Sequence, residues 1–416
     1  MADERQELLS AIERDREEIL DFYRGFIRAR SPNPPGDTTE AAAHIRKFLS
    51  GKGLEHRAVA PMAQMPNIVA SFDGGAAGRH LVLNGHIDVF PVEEGAPGWT
   101  QDPWGGALVD GKIYGRGACD MKAGTSSSIF TYYYLHGIRR KLKGKLTLTC
   151  VSDEETFGPW GARYLIEHHP EVRGDCLLNG EPSGLNTIRF GEKGPLWLAF
   201  TIRTPGAHGA YTHLSPSATK IAGRLVADLE AVTKIPAKAP DNVVRALDQA
   251  APAVDKAMGQ GASQIVQQVT LNIGVVKGGL KVNMVPGECR IEADIRLPLG
   301  VDDKTVMAEV RKIVARYPEV AVEQINYSPP SWCDPYGEMV DIIRANVTSM
   351  SKIEPVPIVS LGGTDARLWR YHNVPAYVYG PPPTGMGSYD EHVKVEDFFH
   401  VLRTHVLSAY DYLSRG

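Results

Sequence analysis

Leu81-Val82-Leu83-Asn84-Gly85-His86-Ile87-Asp88 is an apolar run that ends in an imidazole and a carboxylate. The apolar half reads as a strand buried on both faces, the kind found in a parallel sheet covered by helices. In open α/β sheets ligands bind outside the carboxyl ends of the strands, so the polar end of this run marks a candidate site. Two other runs end the same way. Leu146 to Val151 leads into Ser152-Asp153-Glu154-Glu155, and Cys176 to Asn179 leads into Gly180-Glu181. Asp120 follows Gly115-Arg116-Gly117 and opens a Ser-rich helical segment from Ala123 to Leu135.

Outward from these strands the chain keeps an α/β rhythm. Leu8, Ile12, Ile19, Tyr23, Phe26 and Ile27 recur at helical spacing and predict one amphipathic helix, and a second is expected around Glu40 to Leu49. From about Gly191 the pattern changes to two strand-helix-strand blocks with amphipathic strands, separated by a polar, Ala-rich stretch, which predicts a smaller α+β unit inserted into the first. At 416 residues the chain exceeds what one hydrophobic core usually serves. The expected division is 1–190 and 331–416 for the α/β unit and 191–330 for the insert.

Composition narrows the function classes. With 43% hydrophobic and 23% charged residues and a formal net charge of -4, the chain carries no basic surface for nucleic acid. Residues 1–16 are charged and hold no long apolar stretch, so neither a signal peptide nor a membrane span is read there and a cytoplasmic location is expected. The odd number of scattered cysteines, without a Cys-x-x-Cys pair, argues against a disulfide framework and a zinc ribbon. Walker, His-Glu-x-x-His and Gly-x-Ser-x-Gly motifs are absent from the sequence.

Gathering His86, Asp120, Glu155 and Glu181 at one sheet edge would leave several kcal/mol of uncompensated charge unless a cation sat among them. Any one of these acids alone reads as a helix cap or a solvated loop charge; the ordered set reads as a metal site. Imidazole and carboxylate ligands without thiolate suit Zn2+, with Co2+ or Mn2+ as substitutes. Asp88 is placed to hold the His86 ring in its ligating tautomer. The two adjacent glutamates divide the work, one ligating and the other facing the attacking water as general base.

With Gly85-His86-Ile87-Asp88-Val89, Gly115-Arg116-Gly117-Ala118-Cys119-Asp120-Met121-Lys122, Asp153-Glu154-Glu155, Gly180-Glu181-Pro182-Ser183, Asn283-Met284-Val285-Pro286 and Gly362-Gly363-Thr364-Asp365 in order, the chain resembles the M20 metallopeptidase family. The resemblance implies a zinc-peptidase-like catalytic domain with a central mixed sheet and a ferredoxin-like α+β lid and dimerisation domain. It implies His86, Asp120, Glu155 and Glu181 as ligands of one or two ions, Glu154 as the base, and a cis peptide between Asp120 and Met121. It further implies His208 as donor to the developing oxyanion, and Arg296, Asn283 and the Gly362-Gly363-Thr364 turn as substrate contacts. A guanidinium suits a substrate carboxylate because it binds it bidentately.

One position departs from that pattern. Relatives carry a last metal-binding histidine four residues before a C-terminal glutamate, and four residues before Glu391 stands Gly387. Either the loop brings His392 in as the ligand, the reading preferred from sequence, or the second metal position is incomplete. The expected function is metal-dependent hydrolysis of an N-acyl amino acid or similar small carboxylate-bearing amide, by a homodimer joined through the lid. A dipeptidase or carboxypeptidase, and a catalytically silent binding homologue, are the alternatives.

Overall fold

The computed structural model describes residues 2–93, 95 and 97–415. The chain divides into two compact units: Met1–Phe190 with Cys333–Ile358 and Thr364–Gly416, and Gly191–Trp332 with Val359–Gly363.

The first unit is built on a mixed sheet. Its strands run in the spatial order Arg57–Val59, Asn67–Asp73, Lys143–Val151, Ala76–His86, Cys176–Asn179, Ala376–Val378 and Thr187–Glu192. Strand Ala76–His86 lies parallel to both Lys143–Val151 and Cys176–Asn179, while Asn67–Asp73 is antiparallel to Lys143–Val151. The last six residues of both Ala76–His86 and Lys143–Val151 are buried without alternation, because helices cover both faces of the sheet. Val82, Val151, Leu177 and Val378 meet Leu165, Ile166 and Trp369 of two short helices in one core cluster. Helices Ala123–Gly137 and Val395–Arg415 also contact strand Ala76–His86.

The N-terminal amphipathic run differs from the single helix expected. It forms two helices, Ala2–Arg14 and Arg16–Arg28, which meet at Asp15. The Asp15 amide donates to Ala11 O and its carbonyl accepts from Ile19, so the hydrogen-bond ladder crosses the junction.

The second unit is an antiparallel sheet in the order Thr270–Gly278, Glu288–Leu297, Gly194–Arg203, Val320–Tyr327. Helices Ala218–Leu229 and Asp303–Val314 complete a β-α-β-β-α-β order, a ferredoxin-like arrangement. Strict alternation along Glu288–Leu297 turns Ile291, Ala293 and Ile295 into a core shared with Leu198, Phe200, Ile221, Leu225 and Val310. Asp302 caps its helix by accepting from the Thr305 amide at 2.8 Å. The Ala-rich stretch contains a helix, Asp241–Met258, whose buried face is Val243, Ala246, Leu247, Ala250 and Val254. Among the described residues no helix is long and apolar enough to cross a membrane.

Candidate metal centre

Strand register assembles the site. His86 pairs with Val151 and Asn84 pairs with Asn179, so the residues that follow these strands emerge at one edge of the sheet. A ladder of side-chain amides fixes that edge. Asn179 Nδ2 donates to Asn84 Oδ1 at 2.9 Å, Asn84 Nδ2 donates to Thr149 Oγ1 at 3.1 Å, and Asn179 Oδ1 accepts from the Glu181 amide at 2.8 Å. Helix Ala123–Gly137 approaches the same edge backbone to backbone: a Cβ on Gly124 would stand 2.0 Å from Gly180 O. Just before this helix, Asp120 lies in the turn Ala118–Lys122, and its peptide bond to Met121 is cis, as the resemblance implies.

His86 is buried, and its Nδ1–H donates to the main-chain carbonyl of Asp88 at 2.9 Å. A carbonyl can only accept, so in the neutral ring Nε2 carries the lone pair. That nitrogen faces Asp120 Oδ1 at 3.2 Å and Glu181 Oε1 at 3.3 Å. Three acceptors converging in a buried place repel one another unless a proton or a cation sits among them. The ionisation of the group follows. Burial opposes a charged His86, but Glu181, Asp120 and Asp88 together hold its pKa well above the usual imidazole range. Burial likewise opposes charge on Asp120, yet the hydrogen bond and charge of His86 hold that carboxyl below its ordinary value. Glu154 and Glu181 are each pushed up to about 8, chiefly by burial.

Of the residues read from sequence, the structure brings His86, Asp120, Glu154, Glu155 and Glu181 together. One ligand atom each from His86, Asp120 and Glu155 lie within 4.8 Å of one another, as do those of His86, Glu154 and Glu181. Glu155 Oε1 is shut off from solvent without a hydrogen-bond partner among the described residues, and so is Asp365 Oδ2. Orphaned buried carboxylate oxygens beside an imidazole lone pair fit a divalent cation with oxygen and nitrogen ligands.

Asp88 differs from its expected part in detail. Its carbonyl, rather than its carboxylate, holds the His86 ring; the nearer carboxylate oxygen is 3.6 Å from Nδ1. The carboxylate instead accepts from the amides of Glu154 at 3.3 Å and Glu155 at 3.1 Å and from Asn33 Nδ2 at 2.9 Å, which fixes the Glu-Glu turn.

His392 does not join the cluster. It lies in strand His392–Lys394 opposite Tyr114, its ring 4.8 Å from the Tyr114 ring, and its Nδ1–H donates to Asp390 O at 2.8 Å. Alternation along an extended chain is the cause, since neighbouring side chains point to opposite sides. Glu391 takes the inward side, where its carboxylate accepts from the Cys119 amide at 3.0 Å, the Asp120 amide at 3.2 Å and Arg116 at 2.7 Å.

Within the second unit, His208 and Asn283 are neighbours. Strand Ala207–His208 pairs with Met284–Val285, and Asn283 O accepts from the Gly209 amide at 2.7 Å. His208 is exposed, with Nδ1 accepting from the Ala210 amide at 3.2 Å. Arg296 is half-buried and ion-paired to Asp294 at 2.8 Å. Gly362 and Gly363 follow strand Val356–Ser360, the Gly362 amide donating to Ser360 Oγ at 3.2 Å. Thr364 opens the last segment of the first unit, where its carbonyl accepts from Arg367.

Arg367 is the site residue that sequence reading missed. It is buried, its guanidinium stands 3.3 Å from Glu154 Oε1, and the Phe157 ring covers it at 4.6 Å. Its nearest signal is its place two residues after the quoted Gly362-Gly363-Thr364-Asp365.

Known proteins share the sequence pattern and the fold. A succinyl-diaminopimelate desuccinylase of Cereibacter sphaeroides is 27% identical over 381 residues, covering 88% of this chain and 92% of the relative. Among solved structures, an M20 family metallo-carboxypeptidase from Sulfolobus solfataricus superposes with a TM-score of 0.80 at 17% identity, over 95% of this chain and 99% of its own. The Bacillus subtilis YxeP protein, described as a dinuclear metal-binding peptidase, does so with a TM-score of 0.62 at 17% identity, over 95% of this chain and 98% of its own. These two likenesses bear on the fold alone. The family model for peptidase family M20/M25/M40 matches residues 82–410, a span that opens inside the His86 strand and closes beyond Glu391, and the chain therefore belongs to that family.

Proposed function

We propose that this chain is a metal-dependent amidohydrolase that cleaves the amide bond of an N-acyl amino acid or a similar small carboxylate-bearing amide. The observation that carries the reading is the buried Glu154 carboxyl, held against Arg367 and sharing a ligand-distance cluster with His86 and Glu181. The long alignment with a protein named as a desuccinylase supports the substrate class.

In this reading His86, Asp120, Glu155 and Glu181 hold the ion, Zn2+ being the best match to one nitrogen and several oxygen donors, with Co2+ or Mn2+ as substitutes. When bound, the ion lowers the pKa of water and polarises the scissile carbonyl. Glu154 takes the proton from the attacking water and returns it to the departing amine, the double duty of a general base that becomes a general acid. A carboxyl pushed up by burial is suited to both halves of that cycle. His208 is the proposed donor to the developing oxyanion, a contact worth roughly 3 to 4 kcal/mol elsewhere. Arg296 and Asn283, with Gly362, Gly363 and Thr364, are the proposed substrate contacts.

Two further parts belong to the proposal. The edge strand Thr270–Gly278 exposes Val275 and Val276, and its outer side pairs with no strand among the described residues, which supports a homodimer. Val276→Lys would then shift sedimentation from dimer to monomer. Five unpaired cysteines support a reducing, cytoplasmic setting.

The test is turnover of N-succinyl, N-acetyl and dipeptide substrates by the metal-loaded protein and by Glu154→Gln. Hydrolysis of an N-acyl amino acid that falls by roughly 10^2 to 10^4 in the variant, with metal content unchanged, is expected. Full activity in Glu154→Gln would remove the assigned base.

A further inference from the structure

Both candidate ligand groups, His86 with Asp120 and Glu155, and His86 with Glu154 and Glu181, use the same imidazole. That ring has one nitrogen to give. Nδ1 is committed to the Asp88 carbonyl, and Nε2 alone faces the carboxylates. The two groups therefore describe one imidazole-anchored position, and any second ion would have to be held by shared carboxylates and water.

The C-terminal loop is where a second nitrogen donor would have to come from, because Glu391 ties it directly to the Asp120 turn. Among the described residues, none of its side chains joins either ligand group. Asp390 Oδ1 accepts from the Thr100 amide at 2.8 Å, Glu391 is held by Arg116 and two amides, and His392 is turned to Tyr114 and the Asp390 carbonyl. Gly387, whose carbonyl accepts from Arg116 at 3.4 Å, has no side chain to offer. Its φ of +69° favours glycine, and the space beside its Cα is bounded by the Phe90 ring 3.6 Å from where a Cβ would stand. Among the described residues no cluster of potential ligands includes a second histidine or a cysteine.

We propose that this chain retains one tightly bound divalent ion, anchored by His86 Nε2, and has no protein site for a second ion of comparable affinity. Zinc and cobalt favour a site with a nitrogen donor, whereas a carboxylate-and-water position holds harder ions loosely. The inference rests on the metal-dependent reading above and goes beyond it by fixing the stoichiometry and excluding His392 from the ligands.

The experiment strips the full chain with a chelator, reloads it with Zn2+ or Co2+, dialyses against metal-free buffer and counts retained ions by elemental analysis. The visible spectrum of the cobalt form gives a second readout. One equivalent retained by the wild type and by His392→Ala, with the same cobalt spectrum, is the expected result. Two equivalents retained by the wild type would overturn the stoichiometry while leaving the hydrolase reading intact. Loss of the ion or a changed spectrum in His392→Ala would return His392 to the ligand set and overturn the inference. No retained ion at all would overturn both this inference and the function on which it rests.

Discussion

Arg367 and Glu154 show how a buried charge is managed at the level of single residues. Breaking a buried ion pair costs roughly 3–5 kcal/mol because one charge is left without compensation. Glu154, pushed up to about 8 by burial, can escape part of that cost by taking a proton. Arg367→Met should therefore destabilise the chelated protein by about 3 kcal/mol at pH 9, where Glu154 is ionised, and by clearly less at pH 6. Urea unfolding at the two pH values measures the difference. Equal costs would mean that the guanidinium acts through contacts that do not titrate, such as the Phe157 ring and the Thr364 carbonyl. His86, Asp120, Glu154, Glu155 and Glu181 were legible in the sequence because each sits just past an apolar strand or opens a helix, a local signal. Arg367 lies in a short helix, 213 positions from the carboxylate it pairs with, and no local pattern carries such a partner. His392 misled for the converse reason. Its place beside Glu391 looked within reach of the site, but side-chain alternation gives the inward direction to Glu391.

Between elements, the decisive contact is the backbone approach of helix Ala123–Gly137 to the strand end that carries Glu181. Gly124 and Gly180 face each other so closely that a Cβ on either would overlap the other's main chain, at 2.0 Å and 2.5 Å. Neither neighbour can rotate away, since both obstacles are backbone. Gly124→Ala favours the helix by about 1 kcal/mol through propensity, while forcing apart a well-packed contact costs typically 1–3 kcal/mol. A net loss of stability, together with a lower retained metal content, is expected from thermal unfolding and elemental analysis. A net gain would show that the strand end yields freely. The parallel strands could be read from their apolar runs, since burial on both faces leaves its mark in composition. Helix Asp241–Met258 could not, although its buried residues do recur at helical spacing. Its mean composition is polar and Ala-rich, Pro252 lies inside it, and its apolar face is made of small residues such as Ala246 and Ala250, so the period is faint. The junction at Asp15 was equally silent, because the apolar spacing continues through it.

At the scale of the whole molecule, the acidic cluster links stability to pH and to metal. Glu154 and Glu181 stand at about 8 in the fold against an ordinary 4.5, burial being the main cause. Raised carboxyl values mean that the folded chain keeps protons which the unfolded chain releases. Their contribution is fully present below about pH 4.5 and is lost as pH climbs through about 8. Other buried groups pull differently: Lys122 is pushed down to about 7 and His405 to about 4, both by burial. These favour the fold as pH rises, Lys122 above about 7 and His405 between about 4 and 6.5, so the melting temperature of the chelated protein alone mixes opposing effects. The difference between loaded and chelated protein separates them. The shift of His405 comes from burial and the Tyr379 carbonyl, not from the cluster, and cancels in the difference, whereas the cluster carboxyls must give up their protons to hold an ion. The gain in melting temperature on adding Zn2+ should therefore widen steadily from pH 5.5 to pH 7.5, with protons released on binding in a calorimetric titration run in two buffers of different ionisation enthalpy. A gap independent of pH, with no proton release, would mean that these carboxyls are already ionised without the metal, and that something other than a cation balances their charge.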